Sequence, residues 1–286
     1  MGAGDCPPLP VLSTFYNFSL IDQAYTHPMP HITSAPGSFC WIELTTTDQE
    51  AAKDFYMKLF GWGVEDNPMG PNDYYSIFKL QGQDTAAACT LRPEQKAMPP
   101  YWGIYMAVEN ADASAKKAAE LGGKICAPPF DVMDHGRMAV IQDPTGTTFC
   151  IWQSKKNKGI GIAGEDGTLC WADLSTSDPA KASKFYEGLF GWKISAGEHD
   201  TSGYLHIENG KDFIGGVQPS SMRNPNAPPH WLAYFLTSNC DATAAKAKQL
   251  GAQFFVEPMT MENVGRMAVL ADPQGAVFSI FQPMRK

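Results

Sequence analysis

The sequence predicts an α+β protein made of one domain written twice, each copy holding two β-α-β-β-β modules. Three observations carry this. Phe39-Cys40-Trp41-Ile42-Glu43-Leu44-Thr45-Thr46-Thr47-Asp48 returns as Leu169-Cys170-Trp171-Ala172-Asp173-Leu174-Ser175-Thr176-Ser177-Asp178. Phe55-Tyr56 and Leu59-Phe60-Gly61-Trp62 return as Phe185-Tyr186 and Leu189-Phe190-Gly191-Trp192. Gly136-Arg137-Met138-Ala139-Val140 and the turn Asp143-Pro144-Thr145-Gly146 return as Gly265-Arg266-Met267-Ala268-Val269 and Asp272-Pro273-Gln274-Gly275. A register held over so long a separation means that a whole domain has been duplicated, because solenoid repeats are far shorter.

The chain opens on residues 1–37, which contain Pro, Phe and Tyr but no helical or alternating period. Nothing before Lys53 is basic, so this stretch lacks the charged region of a signal peptide and the arginines of a transit peptide. It reads as an irregular arm docked on the first domain. His27 and His31 are separated by prolines that exclude a helical pair of ligands.

The first copy spans residues 38–154. Alternation from Trp41 to Thr46 with β-branched and aromatic side chains reads as a strand. Asp48 and Asp178 are suited to cap the helices that follow, and Pro179 takes the tolerated first position of the second one. Ala52, Phe55, Tyr56, Leu59 and Phe60, matched by Ala182, Phe185, Tyr186, Leu189 and Phe190, form one apolar stripe of a helix packed on a sheet. Gly61 and Gly191 end these helices.

Short alternating segments follow, Tyr74 to Leu80 and Thr85 to Leu91 in the first copy, Tyr204 to Glu208 and Phe213 to Gln218 in the second. Pro99-Pro100 and Pro228-Pro229 then introduce a second module with its strand, its Ala- and Lys-rich helix and its closing hairpin. Residues 155–167, rich in Lys and Gly, suit an exposed linker, and residues 168–286 form the second copy.

At 286 residues the chain suits two domains of ordinary size. Lys and Arg number 22 against 30 Asp and Glu, a net charge of −8 with no basic run, which argues against nucleic acid and anionic membrane surfaces as partners. No apolar run reaches membrane-spanning length. The seven cysteines show no Cys-x-x-Cys spacing and read as small buried hydrophobes in a reducing, cytoplasmic setting.

This order of motifs, strand, capping Asp, helix with Phe-Tyr…Leu-Phe-Gly-Trp, and Asp-Pro-x-Gly turn before the last strand, resembles the vicinal-oxygen-chelate superfamily. That superfamily includes glyoxalase I, fosfomycin- and bleomycin-resistance proteins and extradiol dioxygenases. The tandem layout looks most like the two-domain bacterial glyoxalase-like proteins of the mycobacterial culture-filtrate antigen type. The resemblance implies that each copy curves its sheet around a cup. It also implies a metal held by a His or Gln on the first strand, a His in the second module and a Glu on the last strand. Those places hold Trp41, Gly103 and Cys150 in one copy and Trp171, Leu232 and Ser279 in the other. Indole and glycine offer no ligand, and a lone thiol or hydroxyl is a poor one for a hard divalent ion. No metal or other cofactor is expected.

Glu43 and Asp173 lie two residues after the tryptophans, hence on the same strand face, and are expected to place a carboxylate in each cup, with a solvent-facing surface carboxylate as the competing role. Arg137 and Arg266 are the expected counter-charges, serving either the ligand or the structure. Trp41, Trp102, Tyr105 and Trp152, with Trp171, Trp231, Tyr234 and Phe281, are numerous enough to line two aromatic pockets, with core packing as the competing role for each. His206, set against Phe78 in the first copy, admits an acid–base pairing with Asp173. The expected function is the binding of a small organic molecule in metal-free aromatic cups, by a sequestering protein or an enzyme that needs little cofactor. A metal-dependent lyase, isomerase or dioxygenase with unusual ligands is the alternative. The chain would work as a monomer or a homodimer.

Overall fold

A computed structural model describes residues 35–284 except 72, 96–97, 198–199 and 225. The N-terminal arm up to residue 34, and with it His27 and His31, lies outside the described residues. The first half runs β1 (Phe39–Thr46), α1 (Gln49–Phe60), β2 (Gly63–Gly70), β3 (Asp73–Leu80), β4 (Gln83–Thr90), β5 (Tyr101–Ala107), α2 (Ala111–Glu120), β6 (Lys124–Val132), β7 (Gly136–Gln142) and β8 (Thr148–Ser154). The second half runs β9 (Leu169–Ser175), α3 (Pro179–Phe190), β10 (Lys193–Ala196), β11 (Leu205–Asn209), β12 (Asp212–Val217), β13 (His230–Leu236), α4 (Cys240–Gln249), β14 (Gln253–Met261), β15 (Gly265–Ala271) and β16 (Val277–Pro283). Each half builds its own eight-stranded mixed sheet, in the orders β2-β3-β4-β1-β5-β8-β7-β6 and β10-β11-β12-β9-β13-β16-β15-β14. The two modules of a half meet at the antiparallel pair β1–β5 or β9–β13, and neither sheet closes on itself.

The helix boundaries follow from local chemistry. Asp48 and Asp178 accept a backbone N–H from Ala51 and Lys181 at 3.0 Å, and Gly61 and Gly191 turn the chain out with φ of 73° and 75°. The outermost strands β2, β6, β10 and β14 show little alternation, and Pro68, Pro128, Pro129 and Pro258 sit in three of them. Proline is tolerated there because an edge strand has one side without a partner.

The helical stripes pack between the two sheets rather than on one. Phe60 meets Phe235 at 5.1 Å and Tyr56 meets Phe278 at 5.6 Å, while Phe149 of the first half meets Tyr186 of the second at 5.4 Å. A single apolar core therefore runs through both halves. Two smaller apolar clusters lie on the other faces of the sheets, one per half, where the resemblance sets the cups.

Residues 155–167 are less free than their composition suggests. Ile160 donates to the Cys40 carbonyl at 2.8 Å, Gly161 donates to that of Asp84 at 2.7 Å, and Ile162 is buried. At Gly159, with φ of 97°, a Cβ would come within 2.2 Å of the Cys40 oxygen, so only glycine allows this approach. The segment is a strap bonded to the first sheet. Among the described residues, cysteines 40, 89, 150, 170 and 240 are free thiols.

Candidate functional site

Strand parity decides what enters each cup. On β1, Ile42 and Leu44 belong to the shared core, so Trp41, Glu43 and Thr45 point to the opposite face. Trp41 Nε1 donates to the Tyr75 hydroxyl at 2.9 Å, and Cys89 Sγ lies 3.6 Å from Glu43 Oε1. The phenols of Tyr75 and Tyr105 stand near enough to the Glu43 carboxyl to act on it as donors, and the charge of Arg92 acts on it from the exposed loop after β4.

The second cup repeats this arrangement. Asp173 Oδ1 accepts Trp171 Nε1 at 2.9 Å and the Tyr204 hydroxyl at 2.5 Å, while Oδ2 accepts the Tyr234 hydroxyl at 2.7 Å and Gln218 Nε2 at 3.4 Å. Trp171 Nε1 is shared with the Tyr204 hydroxyl at 3.0 Å. Asp173 stands beside Gly216 as Glu43 stands beside Ala87, so Gln218 is the counterpart of Cys89. Each half thus gathers an indole, a carboxyl and two phenols in one cluster, hydrogen-bonded throughout in the second half.

Burial pushes the carboxyls of both Glu43 and Asp173 above the ordinary range, and the phenol, indole and amide donors offset this only in part. Tyr75 and Tyr105 are pushed well above the ordinary phenol range, first by burial and then by the neighbouring Glu43 charge. Such a centre can accept a hydrogen bond, or a proton, from a polar group entering an otherwise apolar cup. A raised native value means that Glu43 favours the folded state fully below its unfolded value, and that this contribution is lost as pH rises through the native one. Glu43→Gln removes the effect. The stability of Glu43→Gln relative to wild type is therefore expected to increase from acid to neutral pH; a difference that stays flat in denaturant titrations across that range would refute the raised value.

The arginines are not where the sequence reading put them. Arg137 shares its face with Ala139 and Ile141 of the shared core, and it pairs with Asp112 of α2 through two bonds of 2.8 Å. Arg266 pairs with Asp241 of α4 at 2.8 and 2.7 Å. Both guanidiniums lie on the helix side and tie a helix start to its sheet. Trp102 and Trp231 are corrected likewise. They are core residues whose Nε1 donates to Tyr56 at 3.0 Å and Tyr186 at 3.1 Å.

Trp41, Tyr105 and Trp152 pack together in the smaller apolar cluster of the first half, and Trp171, Tyr234 and Phe281 in that of the second. Trp152 lies over Gly136, where a Cβ would come within 2.3 Å of the indole, and Phe281 lies over Gly265 in the same way. His206 stands beside Gly216 as Ile77 stands beside Ala87, so its counterpart is Ile77 rather than Phe78. Its ring lies edge-on to Tyr204 and Phe213 at 5.2 and 5.7 Å, while the donors to Asp173 given above are other residues.

Tyr75, Tyr204, Cys89, Gln218 and Arg92 went unseen in the sequence reading. The spacing of the first helix sets Tyr74 against Tyr204, but the second copy is one residue shorter before this strand, which makes Tyr75 the true match. The places where the resemblance expects metal ligands hold Trp41, Gly103 and Cys150, or Trp171, Leu232 and Ser279. Ser279 Oγ already donates to the Ala268 carbonyl at 2.9 Å, and among the described residues no three His, Cys, Asp or Glu side chains converge as a cation site. These donors do not fit a divalent ion.

Comparison with known proteins agrees with the duplication. The family model described as the Glyoxalase/Bleomycin resistance protein/Dioxygenase superfamily matches residues 38–151 and again 168–280. CFP32 of Mycobacterium tuberculosis, whose name assigns it provisionally to the glyoxylases, is 42% identical over 250 residues, covering 85% of this chain and 94% of that protein. The anthracycline biosynthesis protein DnrV of Streptomyces peucetius is 33% identical over 267 residues, covering 87% and 94%. Among solved structures, the Mn(II)-bound glyoxalase of Novosphingobium aromaticivorans superposes with a TM-score of 0.60 at 17% identity, covering 90% of this chain and 84% of that one. The 2,3-dioxygenase LapB of Pseudomonas gives 0.61 at 14%, covering 87% and 94%. These two likenesses establish the fold.

Proposed function

Since the chain belongs to the glyoxalase, bleomycin-resistance and dioxygenase superfamily, we propose that it binds a small, flat, partly aromatic molecule in a metal-free cup. The duplicated cluster of Trp41, Tyr75, Glu43 and Tyr105, and of Trp171, Tyr204, Asp173 and Tyr234, supports this reading. It occupies the floor of each cup with phenols and an indole around one carboxyl. Aromatic walls supply contact area, and the carboxyl orients a hydroxyl or amine of the ligand. The anthracycline biosynthesis name of one relative agrees with a polycyclic phenol as ligand.

The test uses 1,4-dihydroxyanthraquinone as probe, followed by its visible absorbance. Wild-type protein is expected to bind it, and Trp41→Ala or Glu43→Gln to weaken binding by about tenfold or more. Binding equal to wild type in both variants would remove the cup from consideration. Elemental analysis addresses the metalloenzyme alternative: a stoichiometric divalent metal whose removal abolishes an activity would replace the metal-free reading.

A further inference from the structure

We infer that only the cup of the first half admits a ligand, because the second has been converted into core at a small number of matched positions. The inference rests on the cups being ligand sites and adds which one is open and what opens it. On the central strand of each cup, Gly103 faces Glu43 where Leu232 faces Asp173. Leu232 is fully buried in the apolar cluster of its cup, beside Trp171 and Tyr234. A Cβ at Gly103 would meet only ordinary contacts, 3.5 Å from Tyr101 Cε2 and 3.6 Å from the backbone carbonyl oxygen of Glu43. The place over the carboxyl that the Leu232 side chain fills in the second half therefore carries no side chain of its own in the first.

Three further differences point the same way. The connection after β12 turns Met222 inward, 1% exposed, against the Leu232 cluster, whereas the connection after β4 carries the exposed Arg92. At the rim, Phe130 lies across from Met138 and faces the first cup while remaining 44% exposed; Met259, in the matching place, packs into the second cluster. Met133, 65% exposed at the tip of the β6–β7 hairpin, is matched by Glu262. The first cup therefore has an apolar lip.

The carboxyls differ in what they still offer. Asp173 is 4% exposed and takes an amide donor from Gln218, whereas Glu43 is half-buried and has only the weakly donating thiol of Cys89 in that place. A planar ligand carrying one hydroxyl or amine donor can lie against Trp41 and complete the bonding of Glu43. Gly103 is thus the position that sets the depth of the cup and the class of molecule it takes.

The test is a crystal of the full chain soaked in phenol, the smallest molecule with this ring and donor. Phenol is expected beside Gly103 with its hydroxyl at Glu43, and absent from the second cup. Gly103→Leu, which copies the second half, is expected to abolish this density and to weaken binding of 1,4-dihydroxyanthraquinone by about tenfold, with thermal unfolding unchanged; Gly103→Ala, whose Cβ fits without displacement, is expected to weaken it less. Phenol in the second cup, in both cups or in neither overturns the inference, as does a folded Gly103→Leu variant that binds like wild type. Phenol in the first cup with no binding of the anthraquinone would remove the polycyclic ligand and leave the asymmetry standing.

Discussion

Trp102→Ala and Trp231→Ala are each expected to lower stability by about 3–5 kcal/mol, the usual cost of deleting a buried large aromatic. Both indoles are nearly inaccessible, at 4% and 6% exposure. Trp102 lies edge-on to Tyr56 at 5.1 Å and to Phe235 of the other half at 5.3 Å; Trp231 lies edge-on to Tyr186 at 5.5 Å and to Phe39 of the other half at 5.4 Å. Truncation leaves a cavity on the seam between the halves and takes the Nε1–H away from a buried phenol, and neither loss is recovered by solvent. Denaturant titration of the two variants measures the cost, and their affinity for 1,4-dihydroxyanthraquinone should stay within a factor of about 2, below a typical hot-spot effect. A variant with wild-type stability and lost affinity would put that tryptophan back in the cup.

This assignment was within reach of the sequence alone. Trp102 and Tyr105 are three apart on one strand, as are Trp231 and Tyr234, so the two members of each pair cannot share a face. The faces could not be ranked by hydropathy because both are apolar: one meets the helices and the other lines the cup. Trp41 and Glu43 were placed correctly relative to each other because a spacing of two is insensitive to that ambiguity. The arginines failed for a different reason. Arg137 and Arg266 seek the nearest carboxylate, and Asp112 and Asp241, in the first turns of α2 and α4, come within reach only when those helices fold back over β7 and β15. Duplication and helix caps are local or repeated signals and were legible. The shared core between the sheets was not, since the pattern of a helical stripe does not say how many surfaces it covers.

Asp272→Ala is expected to cost about 3 kcal/mol or more, and to do so by loosening one half from the other, because several buried donors lose their acceptor at once. Asp272 Oδ1 accepts the N–H groups of Gln274, Gly275 and Ala276 at 2.8–2.9 Å, which builds the turn before β16. Its Oδ2 accepts the hydroxyl of Tyr56, at 3.0 Å, from helix α1 of the other half. The pairing is reciprocal: Asp143 bonds Thr145 and Thr147 within its own turn and accepts the hydroxyl of Tyr186, at 3.0 Å, from α3. Each Tyr also receives the indole N–H of its own half, so three side chains form a chain from one sheet, through a helix, to the other sheet. Asp272→Asn keeps an acceptor for the turn and should cost less, as should Tyr56→Phe, about 1–3 kcal/mol. A double-mutant cycle between Tyr56→Phe and Asp272→Asn should show coupling of about 0.5 kcal/mol or more, as expected for residues in contact. Wild type should unfold in a single transition, and Asp143→Ala with Asp272→Ala should broaden or divide it. Equal, strictly additive losses with unfolding still sharp would mean that each Asp acts only on its own turn and that apolar packing alone joins the halves.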